Sequence, residues 1–190
     1  METVKPPTSA FKNVEILEIK SVARGDRVCV DTIAKLKNKE GMLVGSRSNF
    51  LFLIYNESRA SKFTSARPFR VNAGAVHSYT LSADGTTKYL SELEAGSEIW
   101  VFTPQGWGKT TTVGRAKTET RPMLLITAKS GKEIGSVIVQ DAETVNLVLA
   151  GGGRVKVTEL KKGQRVIACV TRPIGRHFGN DVSGEFILEK

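Results

Sequence analysis

Two arginines three residues apart open the densest chemistry-bearing stretch of this chain, Arg67-Pro68-Phe69-Arg70-Val71-Asn72-Ala73-Gly74-Ala75-Val76-His77. An arginine's planar fork pairs with two oxygens of a carboxylate or phosphate at once. Asn72 and Gly74 permit a sharp backbone turn with N–H donors exposed. His77, five residues after Asn72, titrates near neutrality and is the usual proton-transfer group. An anion clamp, an amide donor and a proton carrier therefore fall in one short segment. The plain alternative is a buried turn with a hydrogen-bonded core histidine. Arg172-Pro173 and Arg176-His177-Phe178-Gly179 repeat the arginine–histidine pairing, or form a polar loop. Gly25 to Thr32 sets Asp26 beside Arg27 and Asp31 at a strand end, where structural ion pairing explains the acids as well as function does. Arg121-Pro122, ahead of an apolar run, is a fourth candidate. No Ser-His-Asp or Cys-His spacing is informative, because such triads are recognised in space.

The charge around these residues is uneven. The net charge is +9, and three stretches carry no acid at all: 58–83, 99–118 and 160–180. Both histidines lie in such stretches. Converging in space, they would form a cationic pocket for a small anionic ligand. Spread out, they would be a solvated basic surface or, at a pI near 9.7, a nucleic-acid track with Trp100 and Trp107 as stacking platforms. Gly106-Trp107-Gly108-Lys109-Thr110 lacks the first glycine of a phosphate-binding loop, and Thr110 to Val113 reads as a strand rather than the required helix. Without a G-x-G-x-x-G the usual dinucleotide fingerprint is missing, and Gly151-Gly152-Gly153 reads as a loop.

The elements that must position these groups are short β-branched runs between turn signals, at the interval expected of all-β domains. Candidate strands include Val14 to Ile19, Phe50 to Tyr55, Val76 to Leu81, Ile99 to Phe102, Met123 to Ile126, Ser136 to Val139, Val166 to Val170 and Phe186 to Leu188. No sustained 3.6-residue apolar period occurs. The expected fold is mainly β: a compact β-barrel, or two intertwined small barrels, with short helical turns. Leu93 to Ile99 and Leu160 to Val166 share a pattern, echoed by Val22 to Val28, of a one-turn helix ending at a glycine and followed by a strand. Residues 1–13 read as a flexible leader and 14–190 as a single domain, with a weak sub-boundary near 83–87. The length and composition are those of a globular chain able to bury its own core, which excludes collagen-like, coiled-coil and disordered classes. Cys29 and Cys169 sit in apolar runs and read as reduced, packed thiols. No zinc spacing, membrane-spanning run or secretory signal is visible, so no metal and a cytoplasmic location are expected, or a plastid one from a longer precursor.

Taken together, the blocks Gly25–Thr32, Glu40–Ser46, Arg67–His77, Lys88–Leu93, Val113–Arg115, Arg121–Pro122, Gln140–Val145 and Arg176–Gly179 resemble the archaeal-type 3-dehydroquinate synthase family (3-dehydroquinate synthase II), in order along the chain. The resemblance implies an NAD-dependent oxidative deamination of 2-amino-3,7-dideoxy-D-threo-hept-6-ulosonate. An intramolecular aldol closure to 3-dehydroquinate follows, in the shikimate route to aromatic amino acids. Fitted to that chemistry, the residues read above place Arg67, Arg70, Arg121 and Arg176 on anionic groups of substrate and cofactor, Asn72 as an orienter, and His77 and His177 in proton transfer, with Arg176 and His177 as a second wall. Where the family tends to carry His-Ser-Glu, this chain has Tyr55-Asn56-Glu57-Ser58, which leaves Glu57 as the acid/base group there. Thr120 replaces the first arginine of an Arg-Arg-Pro pattern. The family's further N-terminal half, of alternating strands and helices, is not supplied by residues 1–13, so a separate N-terminal half or a homo-oligomer is the expected partner. The competing expectation is a non-enzymatic basic β-barrel module that binds RNA or a protein.

Overall fold

Six consecutive apolar residues, Phe50 to Tyr55, leave a strand no polar face, and such a strand must be covered on both sides. A computed structural model of the chain, describing residues 5–171, 175–177, 180–182 and 189–190, shows how this is done. The strands in order are β1 (Phe11–Thr32), β2 (Gly41–Arg47), β3 (Phe50–Tyr55), β4 (Arg70–Ala75), β5 (Tyr79–Leu81), β6 (Thr87–Tyr89), β7 (Glu98–Phe102), β8 (Gly108–Ser130), β9 (Glu133–Gln140), β10 (Asn146–Val148), β11 (Arg154–Lys156), β12 (Arg165–Val170), β13 (Gly175–His177) and β14 (Asn180–Val182). The only helical elements among the described residues are single 3-10 turns at Thr8–Ala10, Leu90–Glu92 and Val157–Glu159. No helix among them is long and apolar enough to cross a membrane. The mainly-β expectation holds. The candidate strand at Phe186 to Leu188 lies outside the described residues.

The first twelve strands form one antiparallel sheet, and six of them close into a ring in the order β3-β12-β1-β8-β7-β2 and back to β3. Alternation along β3 sends Phe50, Phe52 and Ile54 into the larger core and Leu51, Leu53 and Tyr55 into a second one. Met42 and Val44 of β2 join the first core and Leu43 the second. The β2–β3 hairpin therefore stands between two cores, which explains the uninterrupted apolar runs. Gly41 is required there, because a Cβ on it would lie 2.1 Å from the Ile54 carbonyl oxygen.

β1 and β8, of 22 and 23 residues, pair along most of their length. The start of β1 pairs with β12, and the start of β8 pairs with β7. The two halves of the chain are thus interlocked. The positive-φ glycines (Gly96, Gly163) and the strands after them, β7 and β12, are present, but the helical turn is corrected: the 3-10 turns lie upstream at Leu90–Glu92 and Val157–Glu159 and do not end at those glycines. The third copy is corrected: Val22 to Val28 is continuous β1. The Asn72–Gly74 turn is corrected too. Residues 70–75 are β4, paired with β1, and Gly74 with φ 145° sits at a register shift rather than a reversal. Thr8–Ala10 and residues 11–13, read as leader, are a 3-10 turn and the start of β1. Residues 83–87 fall at the hairpin joining β5 and β6.

Candidate functional site

Period-2 alternation places Arg27, Cys29 and Asp31 on one face of β1, and Arg115, Lys117, Glu119 and Arg121 on one face of β8. Antiparallel pairing sets Asp31 opposite Arg115, Cys29 opposite Lys117, Arg27 opposite Glu119 and Gly25 opposite Arg121. On the other edge of β1, Arg70 pairs with Asp31 and Asn72 with Cys29. Three strands thereby present one charged face. The fourth wall comes from the segment after β3. There an isolated bridge between Glu57 and Arg67 closes a loop, with Glu57 N–H donating to the Arg70 carbonyl (2.8 Å) and Arg67 N–H to the Glu57 carbonyl (2.7 Å). The loop turns at Ser61 and Thr64 and carries Phe63, 82% exposed, at its tip.

These walls enclose an open cleft of about 510 Å³, lined by Arg27, Glu57, Phe63, Arg67, Arg70, Lys117, Glu119, Arg121, Gln140 and Thr144 among others. Of the sequence-predicted residues it gathers Glu57, Arg67, Arg70 and Arg121. Asn72, buried, stands behind the wall, its Nδ2 donating to Gln140 Oε1 (2.9 Å) and Thr144 Oγ1 (3.2 Å). His77 is elsewhere. It is exposed in the turn between β4 and β5, with Nε2 3.2 Å from Ser46 Oγ, and lines a separate cleft of about 380 Å³. Arg176 and His177 lie on β13, and their side chains are outside the described residues.

The cleft is not bare positive charge. Arg67 Nε holds Glu57 Oε2 at 2.8 Å. Arg70 binds Asp31 through both carboxylate oxygens, at 2.6 and 2.9 Å. Glu119 takes Arg27 (2.6 Å), Arg121 (2.9 Å) and Lys117 (3.0 Å) together. Arg27 also donates through Nη1 to Cys29 Sγ at 2.6 Å. Burial pushes that thiol up to about 11 against the pull of Arg27, so the sulfur stays protonated. Burial works to raise the Asp31 carboxyl, but hydrogen bonds from Arg70 and Arg115 overturn it and hold Asp31 below the usual carboxylate value. In Glu57 burial wins over Arg67, Arg70 and Arg27, and its carboxyl is raised. Glu119 is lowered, chiefly by its hydrogen bond from Lys117. The arrangement offers half-exposed cations able to exchange a carboxylate for a ligand oxyanion, and one buried carboxyl with raised proton affinity.

The acid-free stretches contain Arg67, Arg70 and Lys117 but hid their partners: Glu57 and Glu119 lie at the edges of those stretches, and Asp31, far from them in sequence, meets Arg70 through register. The pairing of Glu119 with Arg27 spans 92 positions. The only sequence signal for it was the alternation of Lys117, Glu119 and Arg121. Trp100, read as a stacking platform, is buried at 7% exposure and offers no free ring face, whereas Trp107 is exposed.

The fold and site together define an interlocked antiparallel β module whose open cleft is lined by cations paired with carboxylates. The family model for the 3-dehydroquinate synthase II C-terminal domain matches residues 13–190, and the chain belongs to that family. It is 59% identical over 180 residues, 95% of its length, to a 3-dehydroquinate synthase of Nitrosopumilus maritimus, covering 51% of that protein. It is 58% identical over 175 residues to one from Cenarchaeum symbiosum, covering 52%. A 3-dehydroquinate synthase homolog of Aquifex aeolicus is 48% identical over 177 residues. The chain spans about half the length of these curated relatives. No solved structure matches it.

Proposed function

We propose that this chain forms the C-terminal part of a 3-dehydroquinate synthase that oxidatively deaminates 2-amino-3,7-dideoxy-D-threo-hept-6-ulosonate and closes the product to 3-dehydroquinate. Its cleft would bind the acidic substrate and the anionic part of NAD. The observation that carries this reading is the match of the family model over residues 13–190, in a chain whose arginine-lined cleft holds Glu57.

The donor set fits the cofactor's diphosphate. Arg27, Lys117 and Arg121 share the single carboxylate of Glu119, so two positive charges remain unbalanced at that wall. When bound, NAD would accept the hydride from the amine-bearing carbon. Arg121 and Lys117, both partly exposed, would turn from Glu119 toward the diphosphate. Arg67 and Arg70 would face the substrate carboxylate, and Asp31 fixes the Arg70 fork for that contact. Glu57 would be the proton carrier: buried, raised above the ordinary carboxyl value, and aimed by Arg67. It would take the proton that the substrate ammonium must lose before the amine-bearing carbon gives up its hydride; water then replaces nitrogen and ammonium leaves with no further net proton.

The test combines this chain with the N-terminal half of a relative and follows NADH formation and 3-dehydroquinate together. Ammonia release that depends on NAD and on both halves is the expected result. A correctly folded pair that binds neither NAD nor the amino-ulosonate by calorimetry overturns the reading.

A further inference from the structure

Every arginine in the large cleft meets a carboxylate. On the opposite side of the Glu57–Arg67 loop this is not so. There Lys39, Arg59 and Arg154 line a cleft of about 300 Å³ that includes Gly151, Gly152 and Gly153 and no acidic residue. The Arg154 guanidinium lies over the Tyr55 ring, 4.3 Å from its centroid. Its hydrogen bonds all end on neutral acceptors: the Asn56 carbonyl (2.9 Å), Ser58 Oγ (2.8 Å), Asn38 Oδ1 (3.0 Å) and the Asn38 carbonyl. These contacts fix the group rigidly without neutralising it, and they leave its Nε–H unused among the described residues. Burial, and after it the nearby positive charge of Arg59, lower the proton affinity of Arg154. Neither arginine makes an ion pair among the described residues, although both also line a neighbouring cavity that contains Glu57, Glu143 and Glu159; two like charges without a direct counter-ion are costly unless an anion joins them.

The glycines complete the arrangement. Gly151 and Gly152 have φ of 94° and 88°, a backbone that other residues seldom adopt. Tyr55 OH donates to the Gly152 carbonyl at 2.8 Å and pins the loop. The Gly152 amide donates to Leu149 (2.8 Å), while those of Gly151 and Gly153 reach no backbone carbonyl among the described residues. Side-chain-free backbone with open N–H groups beside paired cations is the recurring make-up of phosphate sites.

We infer that Arg59, Arg154, Lys39 and the Gly151–Gly153 backbone form a binding site for a phosphate group, separate from the cleft assigned to the acidic substrate. A tetrahedral dianion meets donors from several directions, which suits two arginines and a backbone loop better than a planar carboxylate would. The site does not depend on the synthase reading.

The experiment is a titration of the full chain with inorganic phosphate at constant ionic strength, followed by amide and arginine Nε–H chemical shifts. Saturable shifts confined to residues 151–154 and Arg59 are expected, with acetate at equal concentration giving much weaker binding. Arg59→Gln, an exposed substitution that leaves the fold intact, should weaken phosphate binding by about tenfold, the worth of one charged hydrogen bond. Arg154→Lys keeps the charge but loses the stack on Tyr55 and the fixed fork, and should also weaken it. Shifts scattered over the surface without saturation, unchanged affinity in Arg59→Gln, or acetate binding as well as phosphate would each overturn the assignment.

Discussion

Removing the charge of Asp31 tests how the cleft is held. Its side chain is 7% exposed and grips Arg70, itself 11% exposed, through two hydrogen bonds. Asp31→Asn leaves that guanidinium buried without a counter-charge, and breaking such a pair from one side costs about 3 kcal/mol. Arg115, the other partner, is 62% exposed and adds less than about 1 kcal/mol. With a urea m-value of about 2 kcal/mol per molar, the unfolding midpoint should fall by roughly 1.5 M. The pH dependence fixes the sign. Asp31 is held below its ordinary value of 3.8, so its stabilisation is complete above 3.8 and is lost as pH falls through the lowered value. The gap between wild type and Asp31→Asn should therefore close in acid. Asp31→Asn combined with Arg70→Met removes both charges and should recover much of the loss. Equilibrium urea unfolding of wild type, the single variant and the double variant at neutral and acid pH reads all of this. A loss under about 1 kcal/mol in the single variant, or a double variant no more stable than it, would refute the reasoning.

Glu57→Gln should abolish turnover of the assembled enzyme while leaving the fold intact. The acid limb of the wild-type kcat/KM profile should lie above the ordinary glutamate value of 4.5, because burial raises that carboxyl; half of wild-type activity in the variant would dismiss Glu57 as proton carrier. Gly41→Ala should leave little folded protein by circular dichroism, since its Cβ would collide with the backbone of β3. Cys29 and Cys169, raised to about 11 and about 12 by burial, should resist iodoacetamide at pH 8 in the native state and react in urea, as mass spectrometry would show. His77→Ala should leave phosphate and NAD binding unchanged by calorimetry, because His77 lines a different cleft.

Much of the fold was legible, and the reasons for the rest are physical. β3 was read with its observed bounds because burial on both faces leaves an unmistakable run of six apolar residues. The lengths of β1 and β8 were not legible, because the exposed part of β1 around Arg24 and Gly25, which pairs with β8 near Arg121, has a sequence that looks like a turn. β4 was mistaken for a reversal because Asn72 and Gly74 are turn residues, yet both are buried by pairing with β1. In the cleft, Arg67, Arg70 and Glu57 stood out as clustered chemistry. Their assembly with Arg27, Lys117 and Glu119 depends on the register of β1 against β8, which local sequence does not encode. His77 is close to Arg70 along the chain, but it lies in the turn after β4 and lines a separate cleft.

The closed order of the ring has a consequence for how the molecule is made. β1, near the start of the chain, and β3 wait for β12, which leaves the ribosome more than a hundred residues later. Until it does, the nascent polypeptide carries two raw strand margins flanked by apolar side chains, an invitation to clumping that a chaperone would have to shield. Translation halted before Arg165 should therefore yield insoluble product, however well the earlier hairpins have set.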